Sequence, residues 1–178
     1  MIKKIIVSGF GGQGALTAGK IILHTAYKKG LQCTWFPSYG NEMRGGAANC
    51  NVILSDKRIA SPYADHPDIV IALNELSIDK FEPPMIEGGL LFVNSSLVDD
   101  NRKYRSDITV FKAPVTEEAQ KLNSERNANI CMLGKMIKET NLFSIDEFEK
   151  YMCDYFASLG KDKFNEKNKE VLRAGYNL

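Results

Sequence analysis

Between an apolar run and a helical pattern, the chain reads Ser8-Gly9-Phe10-Gly11-Gly12-Gln13-Gly14. The apolar run, residues 2–7, predicts a β-strand, and the pattern from Ala15 onwards predicts a helix. Glycine turns in this position direct backbone N–H groups at a helix start towards an anion, and they let a phosphate approach the main chain. The chain is therefore expected to begin with a strand, a glycine turn and a helix.

The spacing of the turn glycines matches the dinucleotide fingerprint G-x-G-x-x-G. It predicts a Rossmann-like crossover in which the candidate cofactor-binding residues are Gly9, Gly11, Gly12, Gln13 and Gly14. A second interpretation is that the glycines only form a tight turn and let the helix pack closely on the sheet. Both interpretations stay open at the level of sequence.

The second strand is predicted over residues 31–36 and leads into Pro37-Ser38-Tyr39. Enzymes that bind NAD place Asp or Glu at the end of this strand, where the carboxylate binds the ribose hydroxyls. No acidic residue stands there. This absence disfavours a free-standing NAD(P)-binding reductase, which we keep as an alternative.

A polar loop is predicted over residues 37–46, beyond the carboxyl end of a strand, where open α/β sheets bind ligands. Its candidate catalytic or substrate-contacting residues are Tyr39, Glu42 and Arg44. The guanidinium of Arg44 can bind a carboxylate or a phosphate through two parallel hydrogen bonds, and Glu42 can pair with it. Alternatively, a Glu42–Arg44 pair only braces the loop, or the loop docks a partner protein.

The rest of the chain alternates apolar runs and helical patterns. Further strands are predicted at residues 47–54, 68–73, 90–93 and 108–111. The later helices are predicted from an N-cap at Thr116, from close packing at Gly134 and from the capping box at Ser144 and Glu147. We therefore expect an α/β fold in one domain, residues 1–178. It would have a Rossmann-like open sheet, mostly parallel, with helices on both faces and a helical C-terminal part from about residue 115.

Composition excludes several classes of function. The chain has 178 residues, of which 44% are hydrophobic and 25% charged, as in ordinary globular proteins. Its 23 basic and 22 acidic residues form no long basic run, so no binding to nucleic acid is expected. The first strand starts too early for a signal peptide and no segment reaches membrane-spanning length, so no membrane partner and a cytoplasmic location are expected.

Recognisable catalytic motifs are absent from the sequence. The four cysteines form no C-x-x-C pair, which argues against a zinc site or an iron–sulfur cluster on this chain alone. Neither a G-x-x-x-x-G-K-[ST] phosphate loop nor a G-x-S-x-G elbow is present. The lack of these catalytic and metal-binding motifs predicts that the chain is a subunit whose site is completed by another chain. A docking module without any catalytic contribution is a further alternative.

Taken together, the two loops closely resemble the gamma subunit of the 2-oxoacid:ferredoxin oxidoreductases. The resemblance spans nearly the whole chain, and its most specific part is Trp35-Phe36-Pro37-Ser38-Tyr39-Gly40-Asn41-Glu42-Met43-Arg44-Gly45-Gly46. It includes the glycine turn and continues through Ala48-Asn49-Cys50, Asn94-Ser95-Ser96 and Ala174-Gly175-Tyr176.

The resemblance implies a complex that converts a 2-oxoacid and coenzyme A into acyl-CoA and carbon dioxide and passes electrons to ferredoxin. Thiamine diphosphate, magnesium and iron–sulfur clusters would then lie on partner subunits, and no cofactor would be held by this chain alone. The implied partners are alpha and beta subunits, a ferredoxin-like delta subunit as an optional addition, and ferredoxin itself. The isolated chain would be inactive.

The loop sequence also bears on the substrate. Tyr39, Met43 and the pair Gly45-Gly46 look more like the 2-oxoglutarate and branched-chain 2-oxoacid members than the pyruvate members. The indolepyruvate type carries Gln-Arg-Gly-Gly, which Glu42-Met43-Arg44 does not match. By this analogy we expect 2-oxoglutarate or 2-oxoisovalerate as the substrate.

Overall fold

The fold is an open sheet covered by helices, as the computed structural model describes it for residues 1–39 and 47–178. The strands are β1 (Ile2–Phe10), β2 (Gln32–Tyr39), β3 (Ala47–Ser55), β4 (Ile69–Ala72), β5 (Leu90–Asn94) and β6 (Thr109–Ala113). The helices are α1 (Ala15–Lys28), α2 (Glu75–Phe81), α3 (Val115–Lys121), α4 (Ala128–Thr140), α5 (Ile145–Ser158) and α6 (Asn165–Tyr176). Short 3-10 turns lie at Ser95–Leu97, Glu125–Asn127 and Asp162–Phe164.

The strands are ordered β2-β3-β1-β4-β5-β6 across the sheet. Neighbours from β1 to β6 run parallel, whereas β3 is antiparallel to both β1 and β2. The expectation of a mostly parallel open α/β sheet is thus confirmed. In a dinucleotide-binding fold the second strand pairs directly with the first. Here β3 separates them, which is a departure from that pattern.

The second strand is longer than the sequence pattern indicates. It continues through Pro37 to Tyr39, so the first three residues of the predicted polar loop belong to β2. Proline is tolerated in a sheet at an edge strand, because its missing N–H can face the open side. Since β2 is the edge of this sheet, Pro37 does not end it.

Each face of the sheet has its own core. On one face, buried residues of α1, α4, α5 and α6 pack against Ile5, Val7 and Phe92. On the other face, Ile6, Val70 and Leu91 pack against α2 and the segment that follows it. The alternation of side chains along β1 sends Ile5 and Ile6 to opposite faces. Helices therefore cover both faces, with the C-terminal helices on the first.

Helix ends show which local predictions hold. Asn74 caps α2, because its Oδ1 accepts a hydrogen bond from the Ser77 N–H at 2.9 Å. Ser144 caps α5 in the same way, at 3.3 Å from the Glu147 N–H. The N-cap at Thr116 is wrong: α3 begins at Val115 after Pro114. An N-cap at Thr116 would start the helix at residue 117, whereas the N-cap is Pro114 and the helix begins two residues earlier. The Thr116 hydroxyl instead accepts a hydrogen bond from the Asn94 side-chain amide at 2.9 Å.

The glycine predicted to allow close packing, Gly134, lies where α4 meets α6. A Cβ at Gly134 would overlap the Leu172 carbonyl oxygen, and a Cβ at Gly175 would overlap the Cys131 carbonyl oxygen. The two helices therefore pack backbone against backbone. No helix in the described part of the chain combines the length and the apolar character needed to cross a bilayer.

Candidate functional site at the carboxyl edge of the sheet

The glycine turn joins β1 to α1 with two residues in left-handed conformations. Gly12 has a φ of 101° and Gly14, the N-cap of α1, has a φ of 77°. The Gln13 N–H closes the turn by donating to the Phe10 carbonyl oxygen at 3.0 Å. L-residues rarely adopt these φ values, so glycine is needed at both positions.

The side chain of Gln13 folds back over the turn and ties two strands together. Its Oε1 accepts hydrogen bonds from the Phe10 N–H at 2.6 Å and from the Asn74 side-chain amide at 2.9 Å. Its Nε2 donates to the Leu73 carbonyl oxygen at 3.2 Å. Gln13 thus links the end of β1 to the residues that follow β4. This is a structural role for a residue that the sequence marked only as a candidate cofactor contact.

Packing explains two of the turn glycines. A Cβ at Gly9 would lie 2.8 Å from Gln13 Oε1, and a Cβ at Gly14 would overlap the side-chain amide of Asn129. That amide donates to the Gly14 carbonyl oxygen at 3.0 Å, which brings the start of α4 against the start of α1. At Gly12, by contrast, a Cβ would meet nothing within 4 Å. A side-chain carbon would therefore meet no neighbouring atom at Gly12, whereas at Gly9 and Gly14 it would collide with other side chains.

A row of amide side chains lines the same edge, and the sequence interpretation missed two of its members as site residues. Asn94, at the end of β5, donates to the Leu73 carbonyl oxygen at 3.3 Å and to Thr116 Oγ1 at 2.9 Å. Asn129 reaches the edge from α4. The side-chain oxygens of Asn94 and Asn129 are buried, and neither has a partner among the residues that the structure describes. The position of Asn94 at a strand end was the available signal, whereas Asn129 gave none.

A small cavity lies close to the turn. It has a volume of about 20 Å³, and its lining includes Gly9, Ser8, Ala47, Asn74 and Ser77. A space of this size holds one water molecule.

The polar loop starts and ends at this edge. In the sheet, Tyr39 pairs with Ala48, and Ala48 pairs with Gly9, so the ends of β2 and β3 flank the glycine turn. The backbone of Tyr39 is the last of β2, whereas Glu42 and Arg44 lie outside the described residues. The structure thus brings Tyr39 and the glycine turn to one edge, as expected for a strand that ends there.

The cysteines have the character of buried thiols. Burial raises the pKa of Cys50 to about 12 and that of Cys131 to about 12. Cys33 and Cys153 are half-buried, and burial raises the pKa of both. In residues 1–39 and 47–178, no three side chains of His, Cys, Asp or Glu come together as ligands for a metal ion.

Comparison with known proteins places this fold in a family. The model of the family described as pyruvate ferredoxin/flavodoxin oxidoreductase matches residues 4–178. The 2-oxoglutarate synthase subunit KorC of Methanocaldococcus jannaschii is 36% identical over 183 residues, covering 100% of this chain and 94% of the relative. The ketoisovalerate oxidoreductase subunit VorA of Methanothermobacter marburgensis is 34% identical over 172 residues, covering 97% of this chain and 35% of that protein. This chain therefore spans about a third of the length of VorA.

A solved structure gives the same relationship in three dimensions. The keto/oxoacid ferredoxin oxidoreductase gamma subunit of Geobacter sulfurreducens superposes with a TM-score of 0.80 at 30% identity. The superposition covers 98% of this chain and 96% of that one. The matched family model and these relatives together show that the chain belongs to the pyruvate ferredoxin/flavodoxin oxidoreductase family.

Proposed function

We propose that this chain is the gamma subunit of a 2-oxoacid:ferredoxin oxidoreductase complex. The complex would convert a 2-oxoacid, coenzyme A and oxidised ferredoxin into acyl-CoA, carbon dioxide and reduced ferredoxin. The observation that carries the proposal is the end-to-end match with KorC, which covers 94% of a protein named as a subunit of 2-oxoglutarate synthase. The similarity to a solved gamma subunit supports it independently.

The cofactors of the reaction are assigned to other chains of the complex. Thiamine diphosphate with its magnesium ion and the iron–sulfur clusters would be held by the alpha, beta and delta subunits, and coenzyme A is the co-substrate. The dispersed, buried cysteines of this chain are consistent with that division.

The substrate is 2-oxoglutarate or a branched-chain 2-oxoacid such as 2-oxoisovalerate. Two relatives with comparable identity carry these two substrates in their names, KorC and VorA. Both are more similar to this chain than the pyruvate synthase subunit PorC of Methanothermobacter thermautotrophicus, at 29% identity. This ranking of the relatives by sequence identity agrees with the loop resemblance at Tyr39, Met43 and Gly45-Gly46.

Purification of the tagged chain from its native cells without oxygen tests the proposal. We expect larger subunits to copurify, with thiamine diphosphate and iron, and the complex to reduce ferredoxin with one class of 2-oxoacid. Assaying 2-oxoglutarate, 2-oxoisovalerate and pyruvate in parallel names the substrate. A chain that purifies alone and binds NAD would contradict the proposal and support the reductase alternative.

We also propose that the loop of residues 38–46 contacts coenzyme A or the oxoacid in the assembled complex, with Arg44 binding an anionic group. Before the loop β2 ends, and after it β3 begins, beside the glycine turn, at the ligand-binding edge of an open α/β sheet. Replacing Arg44 with Ala is expected to raise the apparent KM for one of the two substrates. Arg58→Ala, at an exposed arginine after β3, is the matched control. Unchanged KM values and turnover in Arg44→Ala would remove this arginine from the site.

The glycine turn is proposed to face a phosphate group of that same ligand. Its open side is at Gly12, where an added Cβ would meet nothing within 4 Å. Gly12→Ala is expected to weaken ligand binding in the assembled complex. The control is Gly30→Ala, which introduces the same methyl group at a residue with a φ of 76° and open space around it. Equal effects of the two changes on the KM for coenzyme A would favour the tight-turn interpretation.

A further inference from the structure

The two edges of the sheet are protected to different degrees. The edge strand β6 has five residues and carries Lys112, whose exposed ammonium group lies 5.3 Å from the centroid of the Tyr104 ring. The other edge strand, β2, has eight residues and no charged side chain. Long uncharged edge strands pair readily with other chains, and natural proteins normally block them with charges. We therefore expect another polypeptide segment to pair with the β2 edge, whereas the shorter, charged β6 edge does not require one.

The part of β2 that is able to pair lies before Pro37. Proline in an edge strand places its missing N–H on the open side, so it weakens pairing at its own position. The residues from Gln32 to Phe36 precede it and keep their backbone donors. The edge is thus open over its first five residues.

One face of this edge opens into an aromatic groove between α1, β2 and α5. The groove has a volume of about 420 Å³ and is lined by Leu23, His24, Tyr27, Cys33, Trp35 and Tyr155, with Lys20 at its rim. Tyr27 is 69% exposed. The rings of His24 and Tyr155, which both line the groove, pack with their centroids 5.8 Å apart. The groove has the dimensions and the apolar walls that suit a large apolar side chain.

The opposite face of the same strand carries a second aromatic pair. Phe36 and Tyr63 pack with their ring centroids 4.9 Å apart, and they are 38% and 49% exposed. Exposed aromatic side chains therefore flank the open edge on both faces of the sheet. Aromatic residues that surround an unpaired backbone edge are typical of an interface core.

A cation at the groove restricts the chemistry of its occupant. Lys20 Nζ lies 4.8 Å from the Trp35 ring centroid. No ion pair of Lys20 is present within residues 1–39 and 47–178. A carboxylate on the occupant would give Lys20 an ion-pair partner.

We propose that an extended segment of a partner subunit pairs with the β2 edge, inserts an apolar side chain beside Trp35 and places a carboxylate at Lys20. The inference rests on the proposed function, since the partner is a catalytic subunit of the complex. A second copy of this chain fits less well. In a two-fold pairing of β2 with β2, the added strand itself would bring no Asp or Glu to Lys20.

Fluorine NMR tests whether Trp35 is covered on assembly. Trp35 is the single tryptophan of the chain, so incorporation of fluorotryptophan gives one resonance. The labelled chain is mixed with unlabelled catalytic subunits, and assembly is followed separately by sedimentation. We expect the resonance to change its chemical shift and to lose its dependence on H₂O or D₂O as solvent. A complex that assembles while both properties stay unchanged would overturn the proposal.

Charge reversal tests the acidic character of the partner segment. Lys20→Glu is expected to weaken assembly by about tenfold or more at low salt, because it places like charges together. Lys103→Glu is the matched control, since Lys103 is exposed on the loop before β6, at the far edge of the sheet. Equal affinities for Lys20→Glu, Lys103→Glu and the wild type would contradict the proposal.

The outcomes separate this inference from the proposed function. If the wild-type chain does not assemble with catalytic subunits, the proposed function fails before the edge is tested. If it assembles, but Lys20→Glu leaves the affinity unchanged and the fluorine resonance of Trp35 does not change on assembly, only the edge proposal fails. An isolated chain that dimerises, and is made monomeric by Phe36→Lys, would show that a second copy covers the edge and would overturn the choice of partner.

Discussion

The side-chain amide of Asn74 donates a hydrogen bond to Gln13 Oε1 at 2.9 Å, which connects the cap of α2 to the glycine turn. The same Gln13 oxygen accepts from the Phe10 N–H, and the Gln13 amide group donates to the Leu73 carbonyl oxygen. One side chain thus holds together two strand ends and a helix start. The rigidity of the carboxyl edge depends on it.

Removing the Gln13 side chain should therefore destabilise the fold. Gln13→Ala leaves the part-buried donors of Phe10 and Asn74 without partners and removes one of the two donors to the Leu73 carbonyl oxygen, which we expect to cost about 2 kcal/mol in total. For a chain of this size that corresponds to a decrease in Tm of roughly 4–8 °C. Thermal unfolding followed by circular dichroism measures it. Gln120→Ala, at an exposed glutamine of α3, is the control and should leave Tm nearly unchanged.

The contact between α4 and α6 predicts a larger loss of stability. Gly134→Ala and Gly175→Ala each push a methyl group into the backbone of the other helix, and overpacking of this kind costs about 3 kcal/mol or more. Urea unfolding should show this as a lower midpoint at an unchanged slope. Gly30→Ala adds the same methyl group in open space and should cost about 1 kcal/mol, owing to its left-handed conformation alone. Similar losses in all three variants would argue against close packing.

His24 should make stability depend on pH. Burial, assisted by the charge of Lys28, lowers the pKa of His24 from its ordinary value of 6.5, and Asp154 only partly opposes the shift. Below pH 6.5 the unfolded chain then binds more protons than the folded chain. The contribution of His24 is therefore complete above pH 6.5 and is lost as the pH falls through the folded pKa.

Replacing His24 with Gln removes this dependence. As the pH is lowered from about 7.5 to about 5, the unfolding free energy of His24→Gln should fall less steeply than that of the wild type. Urea unfolding at a series of pH values measures both slopes. Parallel slopes would mean that the imidazole has the same proton affinity in the folded and unfolded chains.

The cysteines should differ in reactivity. Burial raises the pKa of Cys50 and Cys131 to about 12, so neither forms a thiolate near pH 8 in the folded chain. We expect iodoacetamide to modify the half-buried Cys33 and Cys153 first, as read by peptide mass spectrometry. In urea all four should react. Modification of Cys50 before Cys33 in the folded protein would contradict the described burial.

Much of the site could be read from the sequence because its signals are local. The strand–turn–helix order, the cap at Ser144 and the small residue at Gly134 each follow from a few neighbouring residues. The sequence also predicts that the polar loop lies at the carboxyl edge of the sheet, because the loop comes directly after a strand. The same local reasoning failed at Thr116, whose hydroxyl accepts a hydrogen bond from Asn94 at the end of β5 instead of capping α3.

Other features had no local signal. The direction of β3 is one example, because an alternating strand pattern is the same for parallel and antiparallel pairing. The contact of Asn129 with Gly14 joins residues 115 positions apart, and nothing near either residue indicates the other. The fold-back of Gln13 also depends on the position of Leu73, which another strand provides.

The sequence by itself determined the elements, their approximate ends, the mostly parallel sheet and the family resemblance, because backbone propensities, caps and periodicity act over a few residues. The tertiary structure decided which strands are neighbours, that Gly9 and Gly14 are required by packing, and that β2 forms an uncharged edge flanked by aromatic side chains. These properties arise from contacts between segments far apart in the chain, whose pairing only the folded core specifies.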